Sequence, residues 1–148
     1  VVTDWPRRFW RSDPHVVDPL WAGPALNNLV VRGRPRRALD MGCGCGVMAL
    51  AAARYAEAVV AIDINPRATA FARLNVALNG VANVEVHESD LFEAVAGQRF
   101  DRILFNAPVG YERVPRNWLE AGEALLEPPD ARRAHGSSSS APARRRCW

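Results

Sequence analysis

The chain has 148 residues, 49% hydrophobic and 24% charged, the makeup of an ordinary soluble α/β domain with a modest core. No apolar run approaches the ~20 residues that span a bilayer; the opening VVTDWPRRFWRSDP lacks a signal peptide's apolar stretch, and three cysteines make no disulfide framework, so a reducing cytoplasm is expected. All nineteen basic residues are arginine and five lie beyond residue 130, where no acid occurs; residues 1–130 carry 14 basic and 16 acidic side chains, so the net +3 belongs to the tail and is weak ground for a polyanionic partner.

Residues 1–35 read as an N-terminal extension, with Trp5, Phe9, Trp10 and Trp21 beside Arg7, Arg8 and Arg11. Such a stretch either stacks bases or, in the plainer reading, forms a helical extension whose aromatics pack on the domain. RALDMG is then a short apolar run ending in an acid and a glycine, as a buried strand does. VMALAAARYA is a helix by propensity, and AVVAIDI is a β-branched strand that again ends on an acid. NPRATAFARLNVALNG is a marked helix: Asn65 suits the N-cap, Pro66 the first turn and Gly80 the stop. Phe71, Leu74 and Leu78 share one face of it, the expected apolar stripe. NVEVHESDLF alternates as a third strand, FDRILFNAP gives a fourth ended by Pro108, and NWLEAGEALLEP reads as a further helix. From about Pro128 the sequence PPDARRAHGSSSSAPARRRCW loses hydrophobic periodicity, and residues 128–148 are expected to be a disordered or aberrant tail. The alternation of strands and helices predicts a doubly wound, mainly parallel sheet with helices on both faces and right-handed crossovers.

The loop after the first strand, GCGCG, poses the chemical question. A dinucleotide fold uses G-x-G-x-x-G, but the glycines here are Gly42, Gly44 and Gly46, and the third dinucleotide position is Val47. A phosphate-binding P-loop needs G-K-[ST], which is absent. Cys43 and Cys45 supply only two thiolates, and the nearest histidine, His87, is far along the chain, so no metal site is expected. Two small residues in a crowded loop are the plainer account of the cysteines.

What remains is D-x-G-x-G-x-G after one strand, with acids after the next two. At these residues the sequence resembles the class I methyltransferases that use S-adenosylmethionine. LDMGCGCG is similar to that family's first motif, with Asp40, Gly42, Gly44 and Gly46 in register; AIDINPRA resembles the second, with Asp63, and ESDLF the third, with Asp90. FDRILFNAPVGY resembles the fourth motif, which in the small-domain, amine-directed subfamily reads [ND]-P-P-[YF]. The resemblance runs from about Arg36 to Leu126, and four motifs in order at four successive strand ends are far more specific than one glycine motif.

The resemblance implies a Rossmann-like fold over residues 36–127 and S-adenosyl-L-methionine as cofactor. The glycines, with Cys43 between them, would let backbone approach the cofactor. Asp63 would accept both ribose hydroxyls, with Ile64 beside it, and Asp90 the adenine amino group, with Leu91 flanking the ring. Asp40 would act near the methionine end, through the loop or a water. Asn106 and the following carbonyl would accept hydrogens from an amine and aim its lone pair at the methyl carbon, with Pro108 fixing the turn. Two positions depart from the subfamily: its first proline is Ala107 and its aromatic is Val109, with Tyr111 two residues later. A planar nucleobase or glutamine amide is then less favoured as acceptor, and a small molecule becomes credible.

The resembled sheet has seven strands and four are recognisable here. After NWLEAGEALLEP the chain turns to Arg, Ser and Pro, so truncation or a slipped reading frame near Pro128 is expected, leaving the strand of Ile103 and Phe105 as an exposed apolar edge. The function implied is an S-adenosylmethionine-dependent methyltransferase of the cytoplasm, acting on a nitrogen of RNA, protein or a small molecule, with no membrane or metal partner. The alternatives are a catalytically inactive cofactor-binding remnant and, disfavoured by the glycine spacing, an NAD-type oxidoreductase.

Overall fold

The structure, a computed structural model, describes residues 1–3, 16, 33–107 and 116–127. Four strands, β1 (Arg37–Met41), β2 (Ala58–Asp63), β3 (Val84–Glu88) and β4 (Arg102–Phe105), form one parallel sheet in the order β3-β2-β1-β4. Three helices accompany them: α1 (Val47–Ala52), α2 (Pro66–Leu78) and α3 (Arg116–Leu125), with a 3-10 turn at Glu93–Val95. The central strand β1 explains the layering, because its side chains are buried on both faces. Ala38 joins Met48, Ala49 and Ala52 of α1 and Ala72 of α2 on one face. Leu39 and Met41 join Val95, Phe100 and Leu125 on the other. The sheet is thus doubly wound, as the strand-and-helix rhythm predicts.

Local chemistry sets the ends of α2. The Asn65 side chain accepts from the Arg67 N–H at 2.9 Å, Pro66 opens the first turn, and Gly80 follows the C-terminus at φ +62°. The helix face is a correction. Leu74 and Leu78 are 45% and 66% exposed, Phe71 is half-buried under Arg67, and the buried stripe is Ala68, Thr69, Ala72 and Asn75. Close approach is the reason: a Cβ on Gly46 would meet Ala72 Cβ at 3.1 Å, so only small side chains fit this seam. The first helix is also shorter than its alanine-rich sequence suggests. It ends at Ala52, and Asn83 Nδ2 donates to Ala53 O and Ala56 O, both at 3.1 Å, holding the turn into β2.

The two sheet edges are protected differently. On β3, Glu85 and His87 are exposed and Arg73 Nη2 donates to Val86 O at 3.0 Å. On β4 the expected bare apolar edge is corrected by α3. Ile103 and Phe105 are half-buried against that helix, the Trp118 ring meets Phe105 edge-on with centroids 6.1 Å apart, and Gly122 lies against Ile103. Beyond α3 the chain re-enters the sheet direction: Leu126 makes a parallel bridge to Phe100, with Phe100 N donating to Leu125 O and Glu127 N to Phe100 O. Among the described residues no helix is long and apolar enough to cross a membrane.

Candidate functional site

The carboxyl ends of all four strands meet at one rim, on either side of the switch between β1 and β4, where open α/β sheets hold ligands. Backbone bonds join the ends. Cys43 N donates to Ile62 O at 2.9 Å, and Ser89 N donates to Asp63 O at 2.9 Å. The glycine loop between β1 and α1 is closed by Gly46 N donating to Cys43 O at 2.8 Å. Gly44 stands at φ +53° and Gly46 at φ +85°, a left-handed backbone that side chains resist. Gly46 is constrained twice, by this conformation and by its contact with α2.

Asp63 is the hub. Its Oδ2 accepts from Gly44 N at 2.8 Å and its Oδ1 from Asn65 N at 2.9 Å, so one carboxylate ties the β2 end to the loop after β1. A carboxylate has about four acceptor sites, so each oxygen keeps one for a ligand hydroxyl. Beside it opens a crevice of about 510 Å³ lined by Ile64, Glu88, Ser89, Asp90, Glu93 and Ala94. Ile64 is 64% exposed, an apolar side chain presented at the mouth, and Asp90 is exposed on the same wall. Ser89 fixes that wall: its hydroxyl donates to Leu91 O at 3.0 Å and accepts from Ala94 N at 3.0 Å.

Leu91 is held at φ +47° and packs partly buried against the core cluster of Leu39 and Phe100. Cys43 is buried in the cluster with Met48 and Ala49, whereas Cys45 is buried in a separate cluster with Val16 and Ala68. Cys43 can therefore offer a ligand only its backbone. Burial raises both thiols above their ordinary pKa, strongly at Cys43, where the nearby charges of Asp40 and Asp63 add to it. Asn106 is exposed one residue past Phe105, which pairs with Met41, so it stands level with Gly42 on the far side of the switch. Pro108, Val109 and Tyr111 lie outside the described residues, as do Trp5, Phe9, Trp10, Trp21 and the 128–148 tail.

Asp40 is the electrostatic anomaly. It is 2% exposed on the central strand, and its Oδ2 has no hydrogen-bond partner among the described residues. Burial raises its pKa from 3.8 to about 7; the backbone N–H of Ala49 opposes the rise and the Asp63 charge adds to it. This carboxyl is therefore closed off from the open surface.

Two residues of the site are unmarked by any sequence motif: Ser89, just past the end of β3, and Asn75, which stands three residues after Ala72 in the small-residue stripe of α2.

Three comparisons bear on this rim. Residues 25–128, most of the chain, match the family described as "Methyltransferase small domain". The chain is 37% identical over 132 residues to the release factor glutamine methyltransferase of Escherichia coli, covering 82% of this chain and 47% of that enzyme. It is 33% identical over 105 residues to a 23S rRNA uracil-C5 methyltransferase of Vibrio vulnificus, covering 70% of this chain and 27% of that one. Among solved structures, Trm5b of Pyrococcus abyssi superposes with a TM-score of 0.57 at 29% identity, covering 70% of this chain and 29% of that one. The chain spans about half the length of the glutamine methyltransferases it matches.

Proposed function

Because the chain belongs to the methyltransferase small-domain family, we propose that it binds S-adenosylmethionine at the sheet rim and transfers its methyl group to a nitrogen acceptor. One observation carries the reading: Asp63 holds the glycine loop through Gly44 N and keeps acceptor capacity next to Ile64, which lines an open crevice. The residues present fit an adenosyl sulfonium. Ribose hydroxyls have Asp63, an adenine edge has Asp90 and its face Ile64, and the ligand's ammonium end has the Asp40 carboxyl, whose Oδ2 has no partner among the described residues. When bound, that cofactor supplies a methyl group already activated on positive sulfur.

The protein's own work is alignment. Holding two reactants in line is worth ~7–11 kcal/mol, and no strong general base is needed for an amine that reacts through its lone pair. Asn106, at the end of β4 and level with Gly42, is the residue we assign to accept the acceptor's N–H and turn that lone pair toward the methyl carbon. The cofactor-binding unit we assign is residues 36–127, with residues 1–35 as its N-terminal extension and residues 128–148 as a tail. A protein glutamine amide, the target named for the Escherichia coli relative, and an RNA or small-molecule nitrogen all present such an N–H; Ala107 in place of proline favours the small molecule.

Transfer of a labelled methyl group from S-adenosylmethionine to cell-extract fractions sorted into RNA, protein and small molecules tests the reading. Label in one fraction, lost with Asn106→Ala, is expected. Calorimetry showing no binding of S-adenosylmethionine, or preferential binding of NAD, would overturn it.

A further inference from the structure

Asn75 is fully buried in the middle of α2, a position where asparagine is a mediocre helix former. Each polar atom of its side chain is used. Nδ2 donates to Cys45 O at 2.9 Å and to Val2 O at 2.8 Å, and Oδ1 accepts from Val2 N. Cys45 is the residue before Gly46, the loop glycine that rests on Ala72 one turn earlier in the same helix. Val2 continues into Thr3, whose Oγ1 donates to Val16 O at 3.2 Å, and Val16 is buried against Cys45 and Ala68. One amide therefore joins three pieces distant in sequence: the N-terminal segment, helix α2 and the distal half of the glycine loop.

Packing alone does not call for this amide. Leucine would fill a similar volume but leave Cys45 O and both backbone groups of Val2 without their partner, and an unsatisfied buried polar group is costly. The other end of the loop has its own tether, Gly44 N on Asp63. The loop is thus pinned at two points, in front by Asp63 and behind by Asn75.

We propose that Asn75 is a positioning residue for cofactor binding: through Cys45 O it sets the distal turn of the glycine loop, and it makes that turn depend on the docked N-terminal segment Val2–Thr3. The inference rests on the methyltransferase reading and adds a specific ligand dependence to it. The adenosine part of a ligand relies on the Asp63 and Asp90 side of the rim, which Asn75 does not touch. The amino-acid part relies on the turn that Asn75 holds.

The test compares two probes by calorimetry on the full chain: S-adenosylhomocysteine, which carries the amino-acid end, and 5′-methylthioadenosine, which lacks it. Asn75→Asp keeps the shape and the acceptor but removes both donors. Affinity for S-adenosylhomocysteine is expected to fall about tenfold while that for 5′-methylthioadenosine changes less than about twofold. Should the variant fail to fold, Val2→Pro, which removes only the N–H accepted by Asn75, is expected to give the same ligand preference with about a threefold loss. Equal losses for both probes, or none, overturn the inference while the parent chain still binds S-adenosylhomocysteine. Failure of the parent to bind overturns the methyltransferase reading and this inference with it.

Discussion

The rim over β1, β2 and β3 and the rim over β4 are built on different plans. Over the first three strands, Cys43 N reaches Ile62 O, Ser89 N reaches Asp63 O, and Asp63 holds both Gly44 N and Asn65 N. Over β4, Asn106 is exposed just past the last strand residue. The first side is fixed by backbone geometry that few substitutions leave intact. The second presents a side chain on a finished edge, where change costs little stability. A donor common to many enzymes suits the first plan, and acceptors that differ from one relative to the next suit the second.

The largest expected effect comes from Asp40 on the rigid side, whose buried Oδ2 has no partner among the described residues. Asp40 has its pKa raised from 3.8 to about 7, so the folded state prefers the neutral carboxyl. The stabilisation this gives is fully present below pH 3.8 and is lost as pH rises through about 7. Integrated over that window it is on the order of 4 kcal/mol. Asp40→Asn should therefore raise stability at pH 8 in urea unfolding, flatten its dependence between about pH 4 and 7, and weaken S-adenosylmethionine binding. A variant as pH-sensitive as the parent would show that Asp40 is charged in the fold.

Gly46→Ala comes next. It combines a left-handed backbone with a Cβ 3.1 Å from Ala72, for an expected loss of about 2–3 kcal/mol in the same unfolding measurement. A change under about 0.5 kcal/mol would mean that the loop can slide off α2 freely. Asp63→Ala should weaken S-adenosylmethionine binding by about 1–3 kcal/mol in calorimetry through lost charged hydrogen bonds; unchanged affinity would remove it from the ribose role. Smallest in stability is Asn106→Ala, expected within about 0.5 kcal/mol of the parent with cofactor affinity retained. It should lower methyl transfer all the same, and that separation of binding from turnover is the sharpest expression of the two plans.

Much of this was legible beforehand because local rules govern it. Asn65, Pro66 and Gly80 bound α2 as their cap chemistry requires, and acids at the ends of β-branched runs marked where strands stop. The four strand ends met because parallel βαβ connections leave them no other place. What the pattern could not give were distances between pieces far apart in sequence. Phe71, Leu74 and Leu78 look like the apolar face of α2, but contact with Gly46 demands small residues, so Ala68, Ala72 and Asn75 turn inward. The partial packing of Leu91 against the Leu39 and Phe100 cluster, beside the bond from the Ser89 hydroxyl to Leu91 O, is likewise not written in ESDLF. The edge at Ile103 and Phe105 looked bare because shielding by Trp118 and Gly122 is a tertiary fact.

The two cysteines that flank Gly44 pack in different clusters and are both buried. Neither can meet an alkylating reagent unless the loop lifts, and on each side a different part must lift: α1 for Cys43, the Val16 contact for Cys45. Their labelling rates are accordingly two separate clocks, one for each pin of the loop. A bound cofactor should slow both, and release of the N-terminal segment should speed only the second.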